Sequence, residues 1–174
     1  MNNIKYIQDS KVDETLNKKL IALLSICFLK DPVFQYRRYC KEMPQHRWYI
    51  EENNIIVAHL ALHEKKINTE NGEFPIGGVA EVCVHPDYRG KGSVKKMLVK
   101  THNWLKENKF PFSMLFGEKE IYSSSGYSPV KNEIKYFDDK TEKWIIEINR
   151  HAMKNVLGSI LWSEDLININ GPMF

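Results

Sequence analysis

The chain has 174 residues, of which 43% are hydrophobic, and a formal net charge of +3 at pH 7. That length suits one domain spanning 1–174, able to bury roughly 70% of its unfolded surface. A mild positive balance without a dense basic face argues against a nucleic-acid binder. No run approaches the ~20 apolar residues of a spanning helix, so the expected location is the cytoplasm, with no membrane partner.

Ile4 to Ile7 reads as a short first strand. Asp13 offers an N-cap to a helix with the stripe Leu16, Leu20, Leu23, Leu24 and Cys27. Asp31-Pro32 restarts the chain as a second helix through about Arg38, since proline suits the first helical position. Arg47 to Glu51 is expected as a strand, Glu52-Asn53-Asn54 as a hairpin turn, and Ile55 to His63 as a long central strand. Asn71-Gly72 signals another hairpin returning towards Gly77-Gly78, and Val79 to Val84 forms the next strand. A helix then carries Val94, Met97, Leu98, Trp104 and Leu105 on one core face and ends near Asn108. Phe112 to Phe116 is a strand, Glu118 to Ser124 a short helix with Gly126 as C-cap, and Ile134–Phe137 and Trp144–Ile148 two closing strands. The order of these elements is α+β.

The segment Val82-Cys83-Val84-His85-Pro86-Asp87-Tyr88-Arg89-Gly90-Lys91-Gly92-Ser93-Val94-Lys95 carries the strongest chemical signal. A β-branched run stops at a proline turn, and a glycine-spaced basic loop feeds a helix. Backbone N–H groups freed by glycine, a helix N-terminus and the charges of Arg89, Lys91, Lys95 and Lys96 together suit a phosphorylated ligand. The plain alternative is a strand-to-helix turn, which the flanking basic residues disfavour. Three cysteines, Cys27, Cys40 and Cys83, lack metal-ligand spacing and read as reduced thiols; His59 and His63 without a carboxylate or cysteine at ligand spacing do not argue for a metal.

This segment resembles the Val-x-Val-x-Pro-x-x-(Arg/Gln)-x-x-Gly-x-(Gly/Ala) pattern of the GNAT superfamily of acetyl-CoA-dependent N-acetyltransferases. Tyr122-Ser123-Ser124-Ser125-Gly126-Tyr127 matches the family's second motif, Tyr-x-x-x-Gly-(Phe/Tyr), at a fitting distance. Val94 departs from the pattern, standing where most members have glycine or alanine. The Eis-like and aminoglycoside-modifying branches relax the same position, and Phe116 to Tyr122 resembles them too. Ile56-Val57-Ala58-His59 and Ile169 to Phe174 are similar to the nodulation acyltransferases.

The resemblance covers about Ile4 to Lys131 and implies a GNAT-type three-layer α+β fold. Its central mixed, mostly antiparallel sheet is splayed between strands 4 and 5 and flanked by helices. It further implies acetyl-CoA as cosubstrate, its pantetheine along Val82, Cys83 and Val84 and its pyrophosphate on Arg89, Gly90, Lys91, Gly92, Ser93, Val94 and Lys95. A backbone N–H of Val82–Val84 would meet the thioester oxygen. Tyr122 falls at the family's general acid, its phenol protonated at neutral pH, with a packed aromatic as the alternative.

Glu81 is a candidate base, with a strand-end carboxylate paired to a lysine as the equal alternative. His59 and His63 are either acceptor-site or core residues, and His85 is expected to be exposed. Phe34, Tyr36, Tyr39, Trp48 and Trp162 are expected to give aromatic surface to the acceptor site. Glu51, Glu52, Glu118, Glu120, Glu164 and Asp165 are candidates to attract a cationic amine, or simply scattered surface charge. The expected acceptor is a small-molecule amine such as an amino sugar or aminoglycoside-like compound. A longer acyl donor, and a non-catalytic acetyl-CoA sensor, are the alternatives; homodimerisation is left open.

Overall fold

The computed structural model describes residues 3–174, which form two compact units: 3–63 with 79–101, and 64–78 with 102–174. The strands are β1 (Ile4–Gln8), β2 (His46–Glu52), β3 (Ile55–Thr69), β4 (Gly72–Val84), β5 (Phe112–Phe116), β6 (Ser128–Pro129), β7 (Glu133–Asp138), β8 (Lys143–Ile148), β9 (Ala152–Val156) and β10 (Ile167–Asn168). The helices are α1 (Glu14–Cys27), α2 (Ser93–Glu107) and the single turn α3 (Lys119–Tyr122). This is an α+β chain with a mixed sheet. Among the described strand pairs β10–β7 is parallel, while β1–β2, β2–β3, β5–β9, β6–β9, β7–β8 and β10–β3 are antiparallel.

In the first unit the strand order is β1-β2-β3-β4, and α1 covers a core of Leu20, Leu23, Leu24, Phe34, Tyr49, Ile56 and Cys83. The Asp13 carboxylate accepts from Leu16 N at 2.8 Å, capping α1 as expected. Asn53 and Asn54 both take positive φ, 49° and 64°, the geometry of the two-residue turn that matches strand twist. The helix expected from Asp31 to Arg38 is only a 3₁₀ turn, Pro32–Gln35. The residues beyond it turn to other partners. Arg37 binds the carbonyls of Tyr39 and Cys40, and Arg38 reaches Asp9.

In the second unit the order is β6-β9-β5-β4-β3-β10-β7-β8. Its core joins Ile67, Ile76, Phe112, Met114, Ile134, Ala152, Trp162 and Ile167. Ser113 Oγ donates to Gly77 O at 3.2 Å. The strand expected over Val79–Val84 begins earlier, so that Gly77 and Gly78 lie inside one thirteen-residue strand with it. Both are there for close approach, since a Cβ at Gly77 would fall 2.5 Å from Leu105 and one at Gly78 2.9 Å from Phe174. β6, β9 and β10 are additions to the strands expected from sequence.

Candidate active site

Glu81 is the most unusual residue of the first unit. Its φ is +52°, a left-handed conformation inside β4 that interrupts the regular pleat. Its carboxyl is 7% exposed. Oε1 accepts from Cys40 N at 3.2 Å, Oε2 accepts from Arg47 Nη1 at 3.1 Å, and the Glu81 carbonyl receives His59 Nδ1 at 3.0 Å. In place of the lysine partner of the alternative reading, Glu81 meets a fully buried arginine.

Arg47 points inward from β2 with no exposed surface. Its Nε donates to Asp9 Oδ1 at 2.5 Å, its Nη2 to Arg38 O at 3.0 Å, and its Nη1 also faces His59 Nε2 at 2.9 Å. Asp9, 1% exposed, is gripped from the other side by Arg38 at 2.9 and 2.6 Å, and Arg38 also donates to Asn17 Oδ1. Because an arginine can only donate, His59 Nε2 must accept, leaving the proton on Nδ1 for the Glu81 carbonyl. Burial first, and Arg47 second, push His59 down to about 3, so the ring is neutral. Burial pushes Glu81 up to about 7 against the pull of Arg47. Asp9 moves the other way: burial would raise it, but Arg38 and Arg47 together hold it below the usual carboxylate value.

Beyond Glu81, Val82 and Val84 are half-buried and Cys83 is buried against the α1 core. Cys27 Sγ donates to Val84 O at 3.5 Å. The chain then turns at Pro86–Tyr88. His85, half-buried rather than exposed, caps that turn, its Nδ1 accepting from Asp87 N at 3.3 Å. Arg89 is exposed and donates from Nε to Val84 O at 3.3 Å, and the Lys91 ammonium lies 4.6 Å from the Tyr88 ring. Gly90 (φ +77°) and Gly92 (φ +70°) need glycine for their left-handed backbone, with open space where a Cβ would stand. Ser93 opens α2, Val94 is half-buried in its first turn, and Lys95 is exposed. The first N–H groups of that helix have no intrahelical partners, and with the flanking cations they form an anion seat.

Tyr122 belongs to the second unit. It is 9% exposed, at the end of α3, with Tyr127 edge-on at 6.1 Å between centroids. Gly117 lies against its ring: a Cβ there would be 2.4 Å from Tyr122 Cε2. Gly126 ends the following turn at φ +91°. The buried Tyr127 hydroxyl meets Ser113 Oγ at 2.7 Å and His102 Nε2 at 3.0 Å. In the same unit a cavity of about 350 Å³ is lined by Phe116, Gly117, Glu118, Asn149, His151 and Met173. Glu118 Oε1 lies 3.2 Å from His151 Nδ1 at this cavity.

Several expected acceptor groups lie elsewhere. Phe34, Trp48 and Trp162 are core residues at 3%, 4% and 8% exposure, while Tyr36 is exposed and Tyr39 half-buried under the Arg37 guanidinium. Glu51 is neutralised by Lys5 and Lys19 at 2.6 and 2.5 Å. His59 and His63 are buried, and Trp104 is half-buried against Phe110 rather than core. Asp9 and Arg38 escaped sequence reasoning; Arg47 was seen only as a strand residue, although an arginine beside Trp48-Tyr49-Ile50 is a legible oddity. Among the described residues, no group of three or more His, Cys, Asp or Glu can hold a metal, and no helix is long and apolar enough to cross a membrane.

In this mixed sheet a strand runs through a glycine-basic loop into a helix N-terminus, an arrangement that seats an anion. The chain belongs to the GNAT acetyltransferase family, whose acetyltransferase (GNAT) domain matches residues 3–130. No curated protein matches it. Its fold is similar to the GNAT family N-acetyltransferase YhbS from Escherichia coli, solved in complex with CoA (TM-score 0.68, 12% identity, 97% of this chain and 89% of that one). It is also similar to an acyl-CoA N-acyltransferase from Pseudomonas aeruginosa (0.62, 13%, 90% and 100%). A third similar structure is a GNAT family acetyltransferase from Brucella melitensis in complex with acetyl-CoA (0.60, 12%, 92% and 92%).

Proposed function

We propose that this chain moves the acetyl group of acetyl-CoA to a primary amine of a small molecule by direct attack. The observation that carries this reading is the run from Glu81 to Lys95: a buried carboxyl, then a strand end, then an anion seat. The residues present fit the cosubstrate, since Arg89, Lys91, Lys95 and the first turn of α2 suit a pyrophosphate. The CoA and acetyl-CoA complexes of the E. coli and B. melitensis proteins support the same choice.

The thioester supplies an activated acetyl group. Glu81, ionised above about pH 7, accepts the amine proton, directly or through water. The amine nitrogen bonds to the carbonyl carbon, and a backbone N–H of Val82–Val84 receives the developing oxyanion. As the C–S bond breaks, Tyr122 gives its phenolic proton to the thiolate, leaving an amide and free coenzyme A.

The test is coenzyme A thiol release across aminoglycosides, amino sugars, polyamines, amino acids and lysine peptides, with Tyr122→Phe alongside. Release with one amine class, sharply reduced in Tyr122→Phe, supports the reading. Acetyl-CoA binding without turnover on any amine would overturn it in favour of a longer acyl donor or a sensor.

A further inference from the structure

We propose that Arg47, balanced by Asp9, is the positioning residue for Glu81: it aims the carboxylate and sets how readily that group takes a proton. The inference rests on the reading of Glu81 as the base. Its ground is geometric. One guanidinium spends every nitrogen on a different partner, with Nε on Asp9, Nη2 on Arg38 O, and Nη1 shared by Glu81 and His59. Such a fork is fixed at several points, so the Glu81 carboxyl facing it has one orientation.

The positive-φ backbone of Glu81 is held in turn by the Nδ1–H of His59, whose Nε2 is pinned by the same Nη1. Backbone and side chain of Glu81 are therefore tied to one cation. Asp9 sits on the far side of that cation and is also held by Arg38. When Glu81 is ionised, two carboxylates face two guanidiniums; when it is protonated, one positive charge is in excess. Arg47 therefore favours the ionised base, and Asp9 tempers it. The other groups facing Glu81 are Cys40, through its backbone N–H and half-buried thiol, Cys83 on its own strand, and the neutral His59. Arg38, paired with Asp9, is a second cation whose field reaches the carboxyl.

A merely structural role would make Arg47 and Asp9 variants behave alike. A charge-setting role makes them diverge. With the full chain and the amine identified by thiol release, the acidic limb of log(kcat/KM) against pH reports the base in the free enzyme. Arg47→Met should move that limb upward by about one pH unit, as expected on losing an adjacent opposite charge. Asp9→Asn should move it downward, because the cation is then less neutralised. Arg47→Lys should keep the charge but lose the fork, lowering kcat more than it shifts the limb.

If Arg47→Met does not fold, Asp9→Asn and Arg47→Lys decide the matter alone. Limbs that stay put, or move the same way in both charge-changing variants, overturn the inference. Glu81→Gln separates the two layers. If it keeps full activity and the same limb, the base reading itself has failed. If it loses the limb while the Arg47 and Asp9 variants do not shift it, only the positioning role has failed.

Discussion

At the scale of single residues, proton affinity is set by what surrounds each group, and two of the three thiols illustrate it in opposite directions. A hydrogen bond from Cys83 brings Cys27 down to about 7, against burial and with help from Arg89; the same contact, with burial, pushes Cys83 far up. Burial also raises Cys40. Substoichiometric iodoacetamide at pH 7.5 should therefore alkylate Cys27 before Cys40 and Cys83, as read by peptide mass spectrometry. Equal labelling of all three would contradict the thiol geometry. For the reaction itself, Tyr122→Phe should lower kcat on the order of 10²-fold while acetyl-CoA binding is kept. Glu81 and Tyr122 are proposed from the sequence because each sits in or beside a motif. The sequence could not show the pairing of Arg47 with Asp9 and Glu81, because those partners are 38 and 34 residues away along the chain.

Secondary-structure elements explain which expectations held. α1, α2, β2, β5, β7 and β8 were legible because each has a periodic apolar face, a cap or a short apolar run that local chemistry determines. β9, Ala152-Met153-Lys154-Asn155-Val156, carries no clean alternation and exists because β5 and β6 supply its hydrogen bonds. The two-residue β6 and β10 are set in the same way by their partners. The strand expected from Val79 extends back through the paired glycines to Gly72, because Gly77 and Gly78 serve close approach. The connection from β5 to α3 gives the sharpest test at this scale. Gly117→Ala would drive a methyl into the Tyr122 ring, so activity should fall on the order of 10²-fold. Gly72→Ala, which meets only open space but is strained by φ +115°, should cost about 1–2 kcal/mol of stability and no activity. Thermal unfolding and thiol release together check both.

For the whole molecule, the buried ionisable groups leave a signature in stability against pH. His59 is depressed to about 3 in the fold, so its contribution is present above its ordinary 6.5 and is lost as pH falls towards 3. Asp9, also held low, loses its contribution on acidification. Glu81 is raised instead: its contribution is full below its ordinary 4.5 and is lost as pH rises through about 7. Between pH 7 and 4.5 it therefore opposes His59, whereas Asp9 loses its contribution only below its ordinary 3.8. Glu81→Gln removes that opposition, so its melting temperature should fall more steeply on acidification than that of the unaltered protein. A parallel or shallower fall would mean that Glu81 titrates in its ordinary range. The α+β class was legible at this scale from the order of elements and the family from two short motifs, whereas residues 131–174 lie beyond the family match and offered only local patterning and a loose likeness at Ile169 to Phe174.

A carboxyl that titrates near neutrality also divides the molecules in a tube into two populations. With burial pushing Glu81 up to about 7, protonated and ionised forms coexist near neutrality. Any ligand that prefers one population must draw protons from the buffer or return them. Binding heats measured in phosphate and in Tris would then differ by the buffers' own ionisation enthalpies, and the size of that difference counts the protons moved.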